Sequence, residues 1–139
     1  MSIINLQNGN FQIPDKIVFS KDKNYNDILK LVQPNKIWDI QNGYKWIYFD
    51  DIEIDKLFFH IGVCFYNDKL FCIDFSFTEK QEKNLTWDNW NEKEEVNRKE
   101  TYDKWLTKNM GSKRNFEWGK VSAYFDRKAG SSSIVIKYQ

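Results

Sequence analysis

The sequence predicts an α+β fold: a single domain over residues 1–139, with an antiparallel β-sheet of about five to seven strands and two α-helices packed on one face. Three observations carry that expectation. Several stretches alternate apolar and polar residues with period two and are separated by turn-forming residues, as half-buried strands are. Two other stretches place apolar residues at helical spacing and have their own start and stop signals. The run Ile134-Val135-Ile136 must be built into the main sheet, because three β-branched residues left loose would invite aggregation.

Residues 1–19 are mixed, with a short β-like run Ile17-Val18-Phe19 behind Pro14, and the proline limits any strand there to a few residues. Asn24 is placed to cap a helix whose Tyr25, Ile28, Leu29 and Val32 fall at i, i+3, i+4 and i+7. Pro34 stops it. A helix this short cannot stand alone in water, so it has to lie on a sheet. The period then changes to two. Lys36–Gln41 and Tyr44–Phe49 flank Asn42-Gly43, a strong type I′ hairpin signal, and Ile52-Glu53-Ile54 continues to a turn at Asp55-Lys56.

Leu57–Phe77 is the most informative hairpin. With a three-residue loop at Asn67-Asp68-Lys69, Tyr66 opposes Leu70. One face then pairs Phe59/Phe77, Ile61/Phe75, Val63/Ile73 and Phe65/Phe71, and the other pairs His60/Ser76, Gly62/Asp74 and Cys64/Cys72. A two-residue loop mixes the faces, so the three-residue loop is expected, with this pair at the centre of the sheet.

Thr78–Trp90 reads as a polar connecting loop, with Trp87 and Trp90 expected to tuck onto the second helix. Asn91 and Glu94 resemble a capping box for that helix, which runs to about Met110 and ends at Gly111 in the place of a left-handed cap. Val96, Tyr102, Trp105, Leu106 and Met110 are expected on its buried side, and its densely charged outer face in solvent. In the last hairpin Val121, Ala123 and Phe125 face one way, as do Ile134, Ile136 and Tyr138. A loop containing Gly130-Ser131-Ser132-Ser133 joins the two strands.

Composition narrows the function classes. An aromatic share of 17% is enough to fill a core and is foreign to disordered chains. A net charge of +1 argues against a chain that coats nucleic acid. No apolar run approaches the ~20 residues that span a bilayer. The start, MSIINLQNGNF, has no signal-peptide pattern, so the cytoplasm is the expected compartment, with no membrane partner. Lysine outnumbers arginine 18 to 3 and Asn and Ile abound, a coding bias of low-GC bacterial genomes.

Few residues invite chemistry. His60 is the sole histidine, which excludes sites built on two, and a packed mid-strand histidine is the plainer reading. Cys64 and Cys72 lack further ligands for a metal and read as small buried hydrophobes, so neither metal nor cofactor is expected. The serines after Arg127-Lys128 do not make a phosphate loop, because the GxxxxGK[ST] order and its strand-to-helix context are missing. Residues 37–55 hold five acids and one lysine, whereas residues 104–128 hold seven Lys/Arg against two acids. Acids interleaved with Trp38, Tyr44, Trp46 and Tyr48 have the composition of a protein interface: aromatic anchors with steering charge. The expected partner-binding residues are Asp39, Trp46, Asp50, Asp51 and Glu53. The alternative for the same acids is solvated strand ends.

Trp118-Gly119, a strand, Asp126-Arg127-Lys128, the Gly130–Ser133 turn and the closing Ile134–Tyr138 strand together resemble the close of many small bacterial proteins of unknown function. Some of these are similar to immunity proteins of polymorphic-toxin and contact-dependent inhibition systems. The Phe59–Phe77 hairpin, Trp87, Trp90 and the Tyr102–Leu106 helix fit the same pattern. The resemblance covers the last 80 residues or so and brings no catalytic residues with it. It implies a non-enzymatic protein that binds a cognate toxin and covers its active site. The alternatives are a small-molecule or carbohydrate-binding module using Trp87 and Trp90, and an enzyme with His60 as base.

Overall fold

The computed structural model describes residues 3–13, 17–78, 92–126 and 131–138, the side chains of 92–95 excepted. Three hairpins in the first half are each closed by two-residue turns. They join β3 (Lys36–Gln41) to β4 (Tyr44–Ile54), β4 to β5 (Leu57–Tyr66), and β5 to β6 (Lys69–Thr78). Both turn residues have positive φ in every case: Asn42 and Gly43, Asp55 and Lys56, Asn67 and Asp68. That is the twist which lets flanking strands stay paired.

The Asn67 turn corrects the expected three-residue loop. Lys69 belongs to β6 and pairs with Tyr66, while Leu70 pairs with Phe65. The spare residue is absorbed by a bulge, after which Cys64↔Cys72, Val63↔Ile73 and Phe59↔Phe77 fall in the expected register. A two-residue turn and a bulge together keep the faces separate. Phe71 therefore leaves the buried face, where Leu70 takes its place beside Phe65, and its ring meets Tyr44 and Tyr66 instead.

Four more elements complete the sheet's frame. α2 (Glu92–Met110) is followed by β7 (Asn115–Phe116), β8 (Gly119–Asp126) and β9 (Ser131–Tyr138). The main sheet has seven antiparallel strands in the order β3-β4-β5-β6-β9-β8-β7. β9 is thus an interior strand between β6 and β8, as the β-branched run requires. Ser131, Ser132 and Ser133 lie in this strand and pair with Asp126, Phe125 and Tyr124, so the expected Gly/Ser loop is shorter than the sequence suggests.

One face of the sheet carries the core. Ile47, Phe49, Phe59, Ile61, Val63, Phe65, Ile73 and Phe75 are all buried there, with Val121, Ile134 and Ile136. Three elements cover it. The first is a separate hairpin of β1 (Phe11–Ile13) and β2 (Ile17–Phe19), whose Phe11 rests on Phe75 and Phe19 on Phe49. The second is α1 (Tyr25–Leu31), capped reciprocally by Asn24 and Asp27, with Tyr25 edge-on to Phe65. The third is α2, which buries Tyr102, Leu106 and Met110 and sets Trp105 against Phe59, Phe75 and Phe77.

Val96 is not on that buried side: it is 39% exposed, and six residues of helix set it about 120° round from Tyr102. Gly111 ends α2 at φ +75° as expected. The expected loop through Trp87 and Trp90 and the Asn91 cap lie outside the described residues. No helix among the described residues is long and apolar enough to cross a membrane.

Tyr102 does more than fill space. Its hydroxyl donates to the Phe77 carbonyl at 3.0 Å and accepts from the Phe77 N–H at 3.2 Å. The β6–β9 pairing runs only as far as Phe75↔Ile134. Both ladder groups of an antiparallel residue point the same way, so Phe77 presents both to the helix, and one phenol satisfies them.

Candidate functional site

The opposite face of the sheet has no described element packed on it, and there the strands form a trough of about 580 Å³. Alternation along each strand decides what lines it. Because Ile47 and Phe49 point into the core, Trp46 and Tyr48 of β4 point out, and Trp38, paired with Trp46, joins them from β3. These three aromatic rings make one wall. The rings of Trp46 and Tyr48 run parallel, 9° apart in plane with centroids separated by 5.9 Å. They lie low because Gly62 of β5 sits beneath them. A Cβ there would come within 3.1 Å of Tyr48 Cε1, so a side chain would lift the ring. The floor continues in small polar residues, Ser76 of β6 and Ser131 of β9.

Two carboxylates enter the trough. Asp50 stands at a bulge in β4, where the register slips between Phe49↔Ile61 and Ile52↔Phe59 and Asp51 takes φ +54°. Its backbone N–H is fixed by Asn35 Oδ1 at 2.8 Å, and its Oδ1 lies 3.4 Å from His60 Nδ1. Asp74 comes from the middle of β6, opposite Gly62 on one side and Val135 on the other. Burial pushes its carboxyl above the usual carboxylate range, and nearby Asp126 adds to this. Hydrogen bonds from Ser133 and Tyr124 pull the other way. The Tyr124 hydroxyl donates to Asp74 Oδ2 at 3.5 Å. The charge of Asp74 is felt across the trough: Tyr48 and Tyr124 are both pushed up, by burial first and by Asp74 next.

The five expected partner-binding residues separate. Trp46 and Asp50 line the trough. Glu53 is exposed on the same face, opposite Phe58, and Asp51 is the exposed extra residue of the bulge. Asp39 shares the phase of Ile37 and projects from the other side of β3, where its Oδ1 accepts from the Gln41 N–H at 2.9 Å. Sequence reasoning missed Asp74 and Tyr124, which come together from positions 50 residues apart. The available signal was Asp74 itself, the one charge inside the apolar run Leu70–Phe77.

The arrangement is poorly suited to hydrolysis. His60 has Asp50 on one side and Ser76 directly across the strand pair. However, the floor is β-ladder, and amides engaged in a sheet are not free to serve as oxyanion donors. Cys64 and Cys72 oppose each other as expected, both as free thiols. The hydrogen bond between them pushes Cys64 down, against its burial, and pushes Cys72 up together with burial; Cys64 is only 1% exposed, so the thiol favoured for ionisation is the one closed to a substrate. Among the described residues no group of His, Cys, Asp or Glu is arranged to hold a metal ion.

A second depression, of about 450 Å³, lies by the N-terminal hairpin between Ile3, Ile4, Leu6 and Val18, with Asn5, Asn10 and Gln12. Among the described residues its lining has no charged or nucleophilic side chain.

No family model matches the chain, and no curated protein matches it. Among solved structures it is similar to a chain of the complex described as "Rhs1-CT in complex with cognate immunity protein RhsI1". The TM-score is 0.62 at 12% identity, covering 100% of this chain and 88% of that one. At that identity the likeness establishes a shared fold.

Proposed function

We propose that the chain is a bacterial immunity protein that binds a cognate toxin in the cytoplasm and occludes it, with no chemistry of its own. The observation that carries this reading is the surface around β3. All six of its residues are exposed, and Ile37, Trp38 and Ile40 are 49%, 52% and 39% accessible. Apolar side chains of that size, gathered on one edge strand beside an acidic trough, are what a protein-binding surface looks like. The acids Asp39, Asp50, Asp51 and Glu53 on the β3–β4 hairpin would steer a cationic partner, such as the active-site cleft of a nuclease, onto Trp38 and Trp46. A fold shared with a chain from a complex containing a cognate immunity protein supports the same reading.

The test is to look for a toxin-like gene beside this one and to co-express its product with the chain. Restored growth and a complex of nanomolar affinity are the expected result. A toxin that still kills, and that shows no binding by calorimetry, refutes the proposal. A second reading, a carbohydrate-binding module, draws on the parallel Trp46 and Tyr48 rings beside Asp50 and Asp74. It predicts saturable binding of a soluble oligosaccharide at those rings.

A further inference from the structure

We propose that the trough is a receptor for one cationic side chain, a lysine or arginine of the partner protein, seated between the ring faces of Trp46 and Tyr48 and the carboxylates of Asp50 and Asp74. This rests on the partner-binding reading above and assigns the chemistry at the centre of that contact.

Charge comes first. Among the described residues the lining holds two carboxylates, with His60 beside Asp50, and neither a lysine nor an arginine. Among the described residues, no lysine or arginine comes within ion-pair distance of Asp74. An anion partly removed from water and held by two hydroxyls is costly unless a cation comes to it, and a partner's cation gains most where the site is already dry.

The rings supply the second half of the site. The face of Tyr48 already attracts a cation from its outer side, where Lys36 Nζ stands 5.9 Å from the ring centroid. Lys137 is one residue row away from Asp74, across from Cys72, and is directed over Phe71 at 5.9 Å, outside the lining. Trp46, Tyr48 and Asp74 share the lining of the trough, so a cation entering it meets rings and carboxylate together.

Shape is the third element. Gly62 keeps the floor low between the aromatic wall and Asp74, and Ser76 and Ser131 extend it with small side chains, so a long side chain can descend there. Asp74 cannot swing away to meet a partner elsewhere, because Tyr124 and Ser133 hold it in place. The site is therefore pre-organised, which is where anchor residues of an interface act.

Two measurements test this. In the first, the intact chain is titrated with N-acetyl-arginine amide and with its neutral isostere N-acetyl-citrulline amide, read by two-dimensional NMR. The expected result is saturable shifts at the Trp46 indole and Gly62 amide with the arginine probe. Binding should be at least tenfold weaker with citrulline, and at least tenfold weaker for Asp74→Asn. Equal shifts with both probes, no shifts, or stronger shifts with an oligosaccharide overturn the proposal. In the second, affinity for a toxin identified by that co-expression is measured for the natural chain, Asp74→Asn and Trp46→Leu, with thermal melts confirming that each variant folds. Losses of thirtyfold or more in both variants support the site. Unchanged affinity in both overturns it while leaving the immunity reading intact. Arginine saturation without any toxin binding has the opposite meaning: the trough stands and the immunity reading fails.

Discussion

Tyr102→Phe removes one oxygen atom from the interface between α2 and the sheet and leaves the rest of the ring in place. The side chain is fully buried, and its hydroxyl is bonded to both the N–H and the C=O of Phe77. Phenylalanine keeps the ring contact with Phe77, whose centroid lies 4.8 Å away. What changes is that two buried backbone groups lose this partner together. Each such group costs about 1–3 kcal/mol, and some relaxation is to be expected, so a loss of about 2–4 kcal/mol follows. A chain of 139 residues has an unfolding entropy of about 0.3 kcal/mol per kelvin, which converts that loss into a fall in Tm of about 7–14 °C. Differential scanning calorimetry at neutral pH reads it directly, and urea titration checks that the m-value is unchanged. A fall under about 2 °C would refute the reasoning. It would mean that Phe77 can re-pair with β9 beyond Phe75↔Ile134 and that the hydroxyl is not the ladder's substitute.

Two further perturbations test other parts of the fold. Asp74→Asn should raise Tm at pH 7: a carboxyl raised by burial holds its proton in the folded state at pH values where the unfolded chain has lost it, so stability falls as pH rises through that window. The gain should vanish when both proteins are melted below the ordinary carboxylate pKa, and a gain that is independent of pH would refute the cause assigned to it. Gly9→Ala should cost about 1–3 kcal/mol in urea, because Gly9 has φ +78° and a Cβ there runs into the Trp118 indole. That indole donates to the Leu6 carbonyl at 2.9 Å and the Tyr138 hydroxyl to the Gly9 carbonyl at 2.7 Å, so an unchanged urea midpoint would show that this clamp does not hold the N-terminal loop.

What was legible in the sequence was whatever strand or helix periodicity alone decides. The split of Leu57–Phe77 into two faces, Phe71 excepted, the Asn24 cap and the need to bury Ile134–Ile136 all follow from local spacing, and all are present. The bulges were not legible, because an extra residue at Phe71 or Asp51 is accommodated by neighbouring strands that local sequence does not name. The β1–β2 hairpin was half visible. Phe11 and Ile13 precede Pro14 in strands of only three residues, and it is the sheet beneath them that makes them core. The site divides in the same way. Trp46 and Asp50 are neighbours on one strand and announce themselves by composition. Gly62 and Asp74 follow through the sequential β4–β5 and β5–β6 pairings, and Tyr124 joins them only because the sheet order carries β9 and β8 back beside β6.

That same return sets an order on how the molecule comes together. β3 to β6 are sequential hairpins and can pair as soon as each is made, at low cost in loop closure. The outer side of β6 has no neighbour until residues 119–138 have followed α2 out of the ribosome and β9 has slotted between β6 and β8. During that interval the nascent sheet has an open, apolar-faced edge, the kind of template on which chains join one another. Ser131 of the trough, and the Tyr124 and Ser133 that hold Asp74, are not in place before then. The trough is complete only at the last step of the chain's own assembly.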